Sequence, residues 1–141
     1  MILAVDLGLR CGLACYGRDG ELKWFRSHHF SDRSALKRAA YRIVQDARPE
    51  CVVLEGDARL AAIWSRVAEK QGAIVLHPTP EQWREELLLP RQRQSGTDAK
   101  AAARALAIRL IDEHANQGAT ELRTDTAEAI CLGYWALRGL G

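Results

Sequence analysis

Three features of this sequence predict an α/β fold, a mixed five-stranded sheet flanked by helices. Short apolar runs recur along the chain, and two of them end in a carboxylate. Amphipathic segments of helical period separate the later runs. The first three runs are joined by turns alone and the last two through a helix, so antiparallel and parallel pairing are both expected.

Residues 2–5 (Ile-Leu-Ala-Val) read as a buried strand ending at Asp6, with Gly8 supplying a turn. Residues 12–16 form a second apolar run. Gly17-Arg18-Asp19-Gly20 is a strong turn signal, and a third strand starts over Leu22 to Phe25, completing a meander. Ser31 or Asp32 can cap a helix running to about Ala47, with Leu36, Ala39, Ala40, Ile43 and Val44 on one face. Arg48-Pro49 stops it. Cys51-Val52-Val53-Leu54 is a dense strand ending at Glu55. A helix from about Leu60 to Lys70 closes at Gly72, and Ala73-Ile74-Val75-Leu76 reads as another buried strand. Strand, helix and strand in that order predict a right-handed parallel crossover. Beyond Pro78 and Pro80 come a short helix over Glu81 to Leu87 and a polar, basic loop over 88–97. Thr97 is the expected cap of an Ala-rich helix to about His114, and Asn116-Gln117-Gly118 ends it. The last helix is expected from Asp125 to about Arg138. The 141 residues suit a single domain, 1–141, without repeats.

Composition narrows the class. No apolar stretch approaches the ~20 residues of a membrane span. The N-terminus enters a strand at once with no basic region before it, so no signal peptide is expected and the protein reads as intracellular, in the cytoplasm. The four cysteines, at positions 11, 15, 51 and 131, form no C-x-x-C pair and read as core thiols. Trp24, Trp64, Trp83 and Trp135 read as core or subunit packing residues, with base stacking the alternative for Trp64 or Trp83. Of the four histidines only His77, at a strand end, is a neighbour of interest. Net charge is +2, from 20 basic and 18 acidic side chains. With the four carboxylates considered next set aside, the balance becomes 20 against 14, which permits a polyanionic partner.

Those four carboxylates carry the chemistry. Asp6 and Glu55 each end an apolar strand, and sites in open α/β sheets lie at the carboxyl ends of strands. Asp125 and Glu128 lie three apart at a helix start and share a face. Hard oxygen donors of this kind suit Mg²⁺ or Mn²⁺. Two such ions ~4 Å apart promote in-line phosphoryl displacement. Each acid also has a plain reading. Asp125-Thr126-Ala127-Glu128 doubles as a capping box, and Glu55 can simply start a loop. Asp6-Leu7-Gly8 can be a turn, or a phosphate loop of sugar-kinase and actin-like ATPases, a fold whose two lobes exceed this length. The joint pattern favours a metal site. Lys100 and Arg104 share a helix face beside it, and Arg91 and Arg93 lie in the preceding loop, where phosphates can be gripped.

The same motifs resemble the RuvC family of Holliday junction resolvases along nearly the whole chain. Ile2-Leu3-Ala4-Val5-Asp6-Leu7-Gly8-Leu9-Arg10 is similar to the family's first strand and Asp-x-Gly-x-Arg turn. Pro49 to Glu55 resembles its central strand, Thr97-Asp98-Ala99-Lys100 its lysine-bearing helix, and Asp125-Thr126-Ala127-Glu128 its terminal acidic pair. The resemblance implies an RNase H-like fold. It also implies a homodimer that nicks four-way DNA junctions in pairs, with Asp6, Glu55, Asp125 and Glu128 as metal ligands and Lys100 stabilising the transition state. There are departures. Glu128 stands where members usually carry Asp, and Arg84 roughly where they carry a second lysine. Gly56-Asp57-Ala58-Arg59 lacks the aromatic wedge frequent after the glutamate. The short chain resembles compact versions found in mobile elements.

The leading expectation is therefore a metal-dependent, structure-specific endodeoxyribonuclease acting on branched DNA, with Arg84, Arg91, Arg93, Lys100 and Arg104 on the nucleic acid. Its dimer interface is expected on the helix from Leu60 to Lys70, through Leu60, Ala61, Ile63, Trp64 and Val67. One alternative is an RNA-processing nuclease similar to the YqgF group, which the absence of a Gly-Leu-Pro motif after the glutamate disfavours. The other is a non-catalytic junction-binding module, which four intact carboxylates disfavour.

Overall fold

The computed structural model describes residues 1–116 and 122–140. Strands β1 (Ile2–Asp6), β2 (Arg10–Tyr16) and β3 (Leu22–His29) form the expected antiparallel meander. Helix α1 (Arg33–Ala47) leads to β4 (Cys51–Glu55), and α2 (Ala58–Lys70) crosses to β5 (Ile74–Leu76). Three helices follow: α3 (Pro80–Leu87), α4 (Gly96–His114) and α5 (Thr124–Leu140), with a 3₁₀ turn at Pro90–Gln92. The sheet order is β3-β2-β1-β4-β5, with β1, β4 and β5 parallel. This is the mixed five-stranded sheet of an RNase H-like fold.

Alternation along the strands divides the core in two, because successive side chains point to opposite faces. Ile2, Ala4, Ala14, Tyr16, Cys51 and Val53 face α3, α4 and α5. Leu3, Val5, Leu13, Val52 and Leu54 face α1 and α2. On the first face α5 lies close against the sheet. A β-carbon added at Gly133 would sit 2.6 Å from the Tyr16 ring. The Tyr16 hydroxyl donates to the Ile130 carbonyl at 2.7 Å, which satisfies a buried polar group and pins helix to sheet.

Several local expectations change. The fifth strand is an exposed edge rather than a buried strand: Ile74 is 57% exposed, because only β4 pairs with it and α2 covers one side. Ser95, not Thr97, caps α4, its side chain accepting the Asp98 N–H at 3.1 Å; the helix simply starts two residues earlier. Asp32 caps α1, as one of the two candidates. Ala61 and Trp64 are core residues under the sheet, so the apolar stripe expected at a subunit interface keeps only Leu60, Ile63 and Val67 partly accessible. The turn expected at Asn116-Gln117-Gly118 lies, beyond Asn116, outside the described residues. All four cysteines are free and buried. No helix among the described residues is long and apolar enough to cross a membrane.

Candidate active site

Strand register assembles the site. Asp6 pairs with Glu55 on the parallel side and with Gly12 on the antiparallel side, and Gly12 pairs with Ser27. Ser27, Gly12, Asp6 and Glu55 thus form one row across four strands. Asp6 and Glu55 sit in phase with Ala4 and Val53, so both point toward the α3–α5 layer. The Leu7 N–H donates to the Glu55 carbonyl at 2.9 Å and locks the two strand ends together.

Gly12 lets the last helix join this row. A β-carbon there would fall 1.9 Å from the Asp125 carbonyl oxygen, so only a bare backbone admits the first turn of α5. Asp125 then accepts from the Ser27 hydroxyl at 2.9 Å and from the Thr126 hydroxyl at 3.1 Å. These bonds replace the capping-box reading: Thr124 begins the helix, Asp125 lies inside its first turn, and Glu128 turns inward instead of back to the helix end.

Asp6, Glu55, Asp125 and Glu128 all line one open cavity of about 680 Å³. Arg84, Lys100 and Arg104, expected from the sequence, line it too, with Arg10, Leu122, Arg123 and Thr124. Arg104 also donates to the Leu122 carbonyl. Arg91 and Arg93 are not among the lining residues. Arg91 is exposed on the 3₁₀ turn, and Arg93 is turned back 3.4 Å from the Leu88 carbonyl. His77 stays at the rim, 3.2 Å from the Gly56 carbonyl.

Two contacts were not legible in the sequence. Trp83, fully buried on α3, donates its indole N–H to Glu55 at 3.0 Å. A buried indole needs an acceptor, and here the acceptor is a site carboxylate, which fixes that carboxylate's rotamer. Arg84, next along α3, lies 3.5 Å from Glu128. At that distance it is an ion pair without hydrogen-bond geometry, and both buried Glu128 oxygens keep no hydrogen-bond partner. Ser27 is a residue of this cluster that the sequence did not single out. Nothing in its local context marks it, because its role comes from strand register.

Crowded, buried acids resist ionisation. Burial first, then the charges of Glu55, Glu128 and Asp125, push the Asp6 carboxyl up to about 8, against a smaller opposing pull from Lys100. Burial and then Glu55 push Glu128 up to about 7, opposed by Arg84 and Lys100. Burial raises Glu55 as well, with the Trp83 hydrogen bond opposing. Cys11, beside Asp125 and Asp6, is pushed up to about 12, chiefly by burial, and so remains a thiol rather than a nucleophile.

These observations fit a divalent cation. Orphaned Glu128 oxygens and repelling acids are groups that added positive charge would satisfy. Among the described residues no three His, Cys, Asp or Glu side chains converge into a finished ligand cage. Arg84 lies against Glu128 instead, where it partly neutralises the acid.

No protein-family model and no curated protein matches this sequence. Among solved structures, the fold is that of RuvC-like Holliday junction resolvases. The fowlpox virus Holliday junction resolvase matches with a TM-score of 0.78 at 18% identity, covering 99% of both chains. RuvC of T. thermophilus, in complex with a Holliday junction substrate, matches at 0.66 and 13% identity, covering 99% of this chain and 94% of that one. The yeast mitochondrial Holliday junction resolvase matches at 0.58 and 11% identity, over 97% and 78%.

Proposed function

We propose that the protein is a single-domain, metal-dependent endonuclease that resolves four-way DNA junctions by paired phosphodiester hydrolysis. One observation carries the reading: four carboxylates from β1, β4 and α5 line a single open cavity, and five basic residues line it with them. Similarity of fold to structures described as junction resolvases supports the choice of branched DNA as substrate.

Asp6, Glu55, Asp125 and Glu128 would hold Mg²⁺ or Mn²⁺, as two ions, which when bound supply water activation and stabilise the leaving oxygen. The protein's own groups do the rest. Register holds Asp6 and Glu55 side by side, and Trp83 orients Glu55. Ser27 and Thr126 orient Asp125. Lys100, Arg104, Arg10 and Arg123 place positive charge where a scissile phosphate and its neighbours would lie. Arg84 releases Glu128 when the phosphate backbone offers it an alternative partner. Paired nicks call for two copies related by a two-fold axis. Free buried thiols suit a reducing cell interior.

The Arg84–Glu128 pair favours one competing reading, a junction-binding module without catalysis. A cleavage assay on labelled four-way junction, plain duplex and structured RNA, with and without Mg²⁺, separates them. Symmetric, metal-dependent nicks in the junction, lost in Asp6→Asn with binding retained, support the nuclease. Cutting of RNA alone moves the assignment to an RNA-processing enzyme. Junction binding without any cutting leaves the binding module.

A further inference from the structure

The net positive charge of this protein lies away from the candidate active site, whose five cations are largely offset by its four carboxylates. Helices α1 and α2 carry seven Lys and Arg against two acids, Asp46 and Glu69. The rest of the chain carries thirteen against sixteen, or thirteen against twelve with the four site carboxylates set aside. Nearly all of the net positive potential therefore belongs to the layer on the opposite side of the sheet from α5.

On that layer the cations line a groove. Two adjoining hollows of about 580 and 280 Å³ share Lys37, Arg66 and Val67. Arg38, Arg42 and Lys70 line the larger one and Arg33 the smaller. None of these six cations is in an ion pair among the described residues. Arg33–Lys37, Arg38–Arg42 and Arg66–Lys70 are i,i+4 pairs. They repel one another, cost helix stability and stand in rows along each axis. Tyr41, 55% exposed, and Val67 give the groove an apolar wall. The groove also has a direction. Helix α1 ends just before β4 begins, and α2 begins just after Glu55, so both helices start at the edge of the sheet that bears the site. The rows lead from that edge around to the far layer.

We propose that the α1–α2 groove is a second nucleic-acid surface, which holds the phosphate backbone of DNA that extends past the candidate active site. Rows of forked guanidinium groups suit a regular array of phosphates. An acidic peptide needs no such continuous row. The choice of DNA rests on the nuclease reading above; the charge distribution does not.

The test compares Arg38→Glu/Arg42→Glu with the parent and with Arg109→Glu/Arg138→Glu, a pair of exposed sites elsewhere that changes net charge equally. Binding of labelled four-way junction is measured without divalent metal across a salt series, with melting temperature as the fold check. The groove variant should bind about tenfold or more weakly, and the slope of log affinity against log salt should shrink by about 2. The control pair should stay near the parent. Cleavage at saturating DNA should change by no more than about twofold, since that rate reports the reacting complex. Equal binding by parent and groove variant overturns the proposal, as does equal weakening in the control. Loss of binding to polyglutamate but not to DNA overturns it in favour of an acidic protein partner. A parent that binds DNA through the groove and cuts nothing breaks the nuclease reading and leaves the groove standing. A parent that binds neither junction nor duplex overturns the groove.

Discussion

The two faces of the sheet solve opposite electrostatic problems. Toward α3, α4 and α5, acids are gathered in a partly buried cavity and held there against their repulsion by strand register and neutral donors such as Trp83 and Ser27. Toward α1 and α2, cations are spread along an exposed groove, where water screens them and none is in an ion pair among the described residues. On the nuclease reading the first arrangement concentrates charge for chemistry, and it costs stability. The second distributes charge for attraction and costs little. Burial, more than charge count, separates a site from a surface.

Asp6→Asn breaks the first arrangement most severely. Loss of a central acid should reduce junction cleavage by about a thousandfold or more, the scale of several kcal/mol of transition-state stabilisation. The same variant should melt higher than the parent in EDTA at pH 8. The native Asp6 keeps its proton up to about 8 whereas the unfolded chain loses it near 3.8. The parent therefore loses stability as pH rises between those values, and the Asn variant does not share that loss. A melting series in EDTA across pH checks the sign.

Gly12→Ala should come next. Its methyl group would displace the first turn of α5 and with it Asp125. Overpacking of this kind costs about 3 kcal/mol, read by denaturant unfolding, and cleavage should fall with it. By contrast Gly72, a positive-φ glycine with open space around it, has no role in the site.

Trp83→Phe is the next test, because it keeps an aromatic side chain but removes the indole N–H and leaves a small cavity. Glu55 should lose its orientation, with a fall in stability of about 2 kcal/mol from the lost hydrogen bond and the cavity together, and in cleavage of about tenfold. The loss should fall on the rate at saturating DNA rather than on DNA binding, as single-turnover kinetics would report.

A smaller effect is expected from Mg²⁺ on stability. Cation binding must displace the protons that Asp6 and Glu128 retain up to about 8 and about 7. The rise in melting temperature on adding Mg²⁺ should therefore be slight near pH 6 and grow through pH 8. The least effect belongs to Arg91→Ala. Arg91 lies outside the cavity, so cleavage should change less than about twofold, against about a hundredfold for Lys100→Ala inside it.

Much of this was legible in the sequence. Apolar runs and their punctuation marked the five strands, and the strand-terminal positions of Asp6 and Glu55 marked the candidate site. Where the structure places residues differently from the expectation, the causes are local. Ala73 to Leu76 is apolar enough to read as buried, but an edge strand has no second neighbour to cover it. The loop arginines Arg91 and Arg93 were close to the site in sequence, yet the 3₁₀ turn and the Leu88 carbonyl direct them elsewhere. Ala61 and Trp64 satisfied an interface pattern equally well as a core pattern, since helical period cannot say what covers a face.

The order of elements, their hydrophobic faces and the residue types able to hold a metal can be read along the chain, because they follow from local periodicity and side-chain chemistry. That Ser27, Gly12, Asp6 and Glu55 share a row, that Trp83 donates to Glu55, and that the basic residues split between a cavity and a distant groove emerges from the packed molecule. Those facts depend on strand register and on which helix covers which face, and both are set by contacts between segments far apart in the chain.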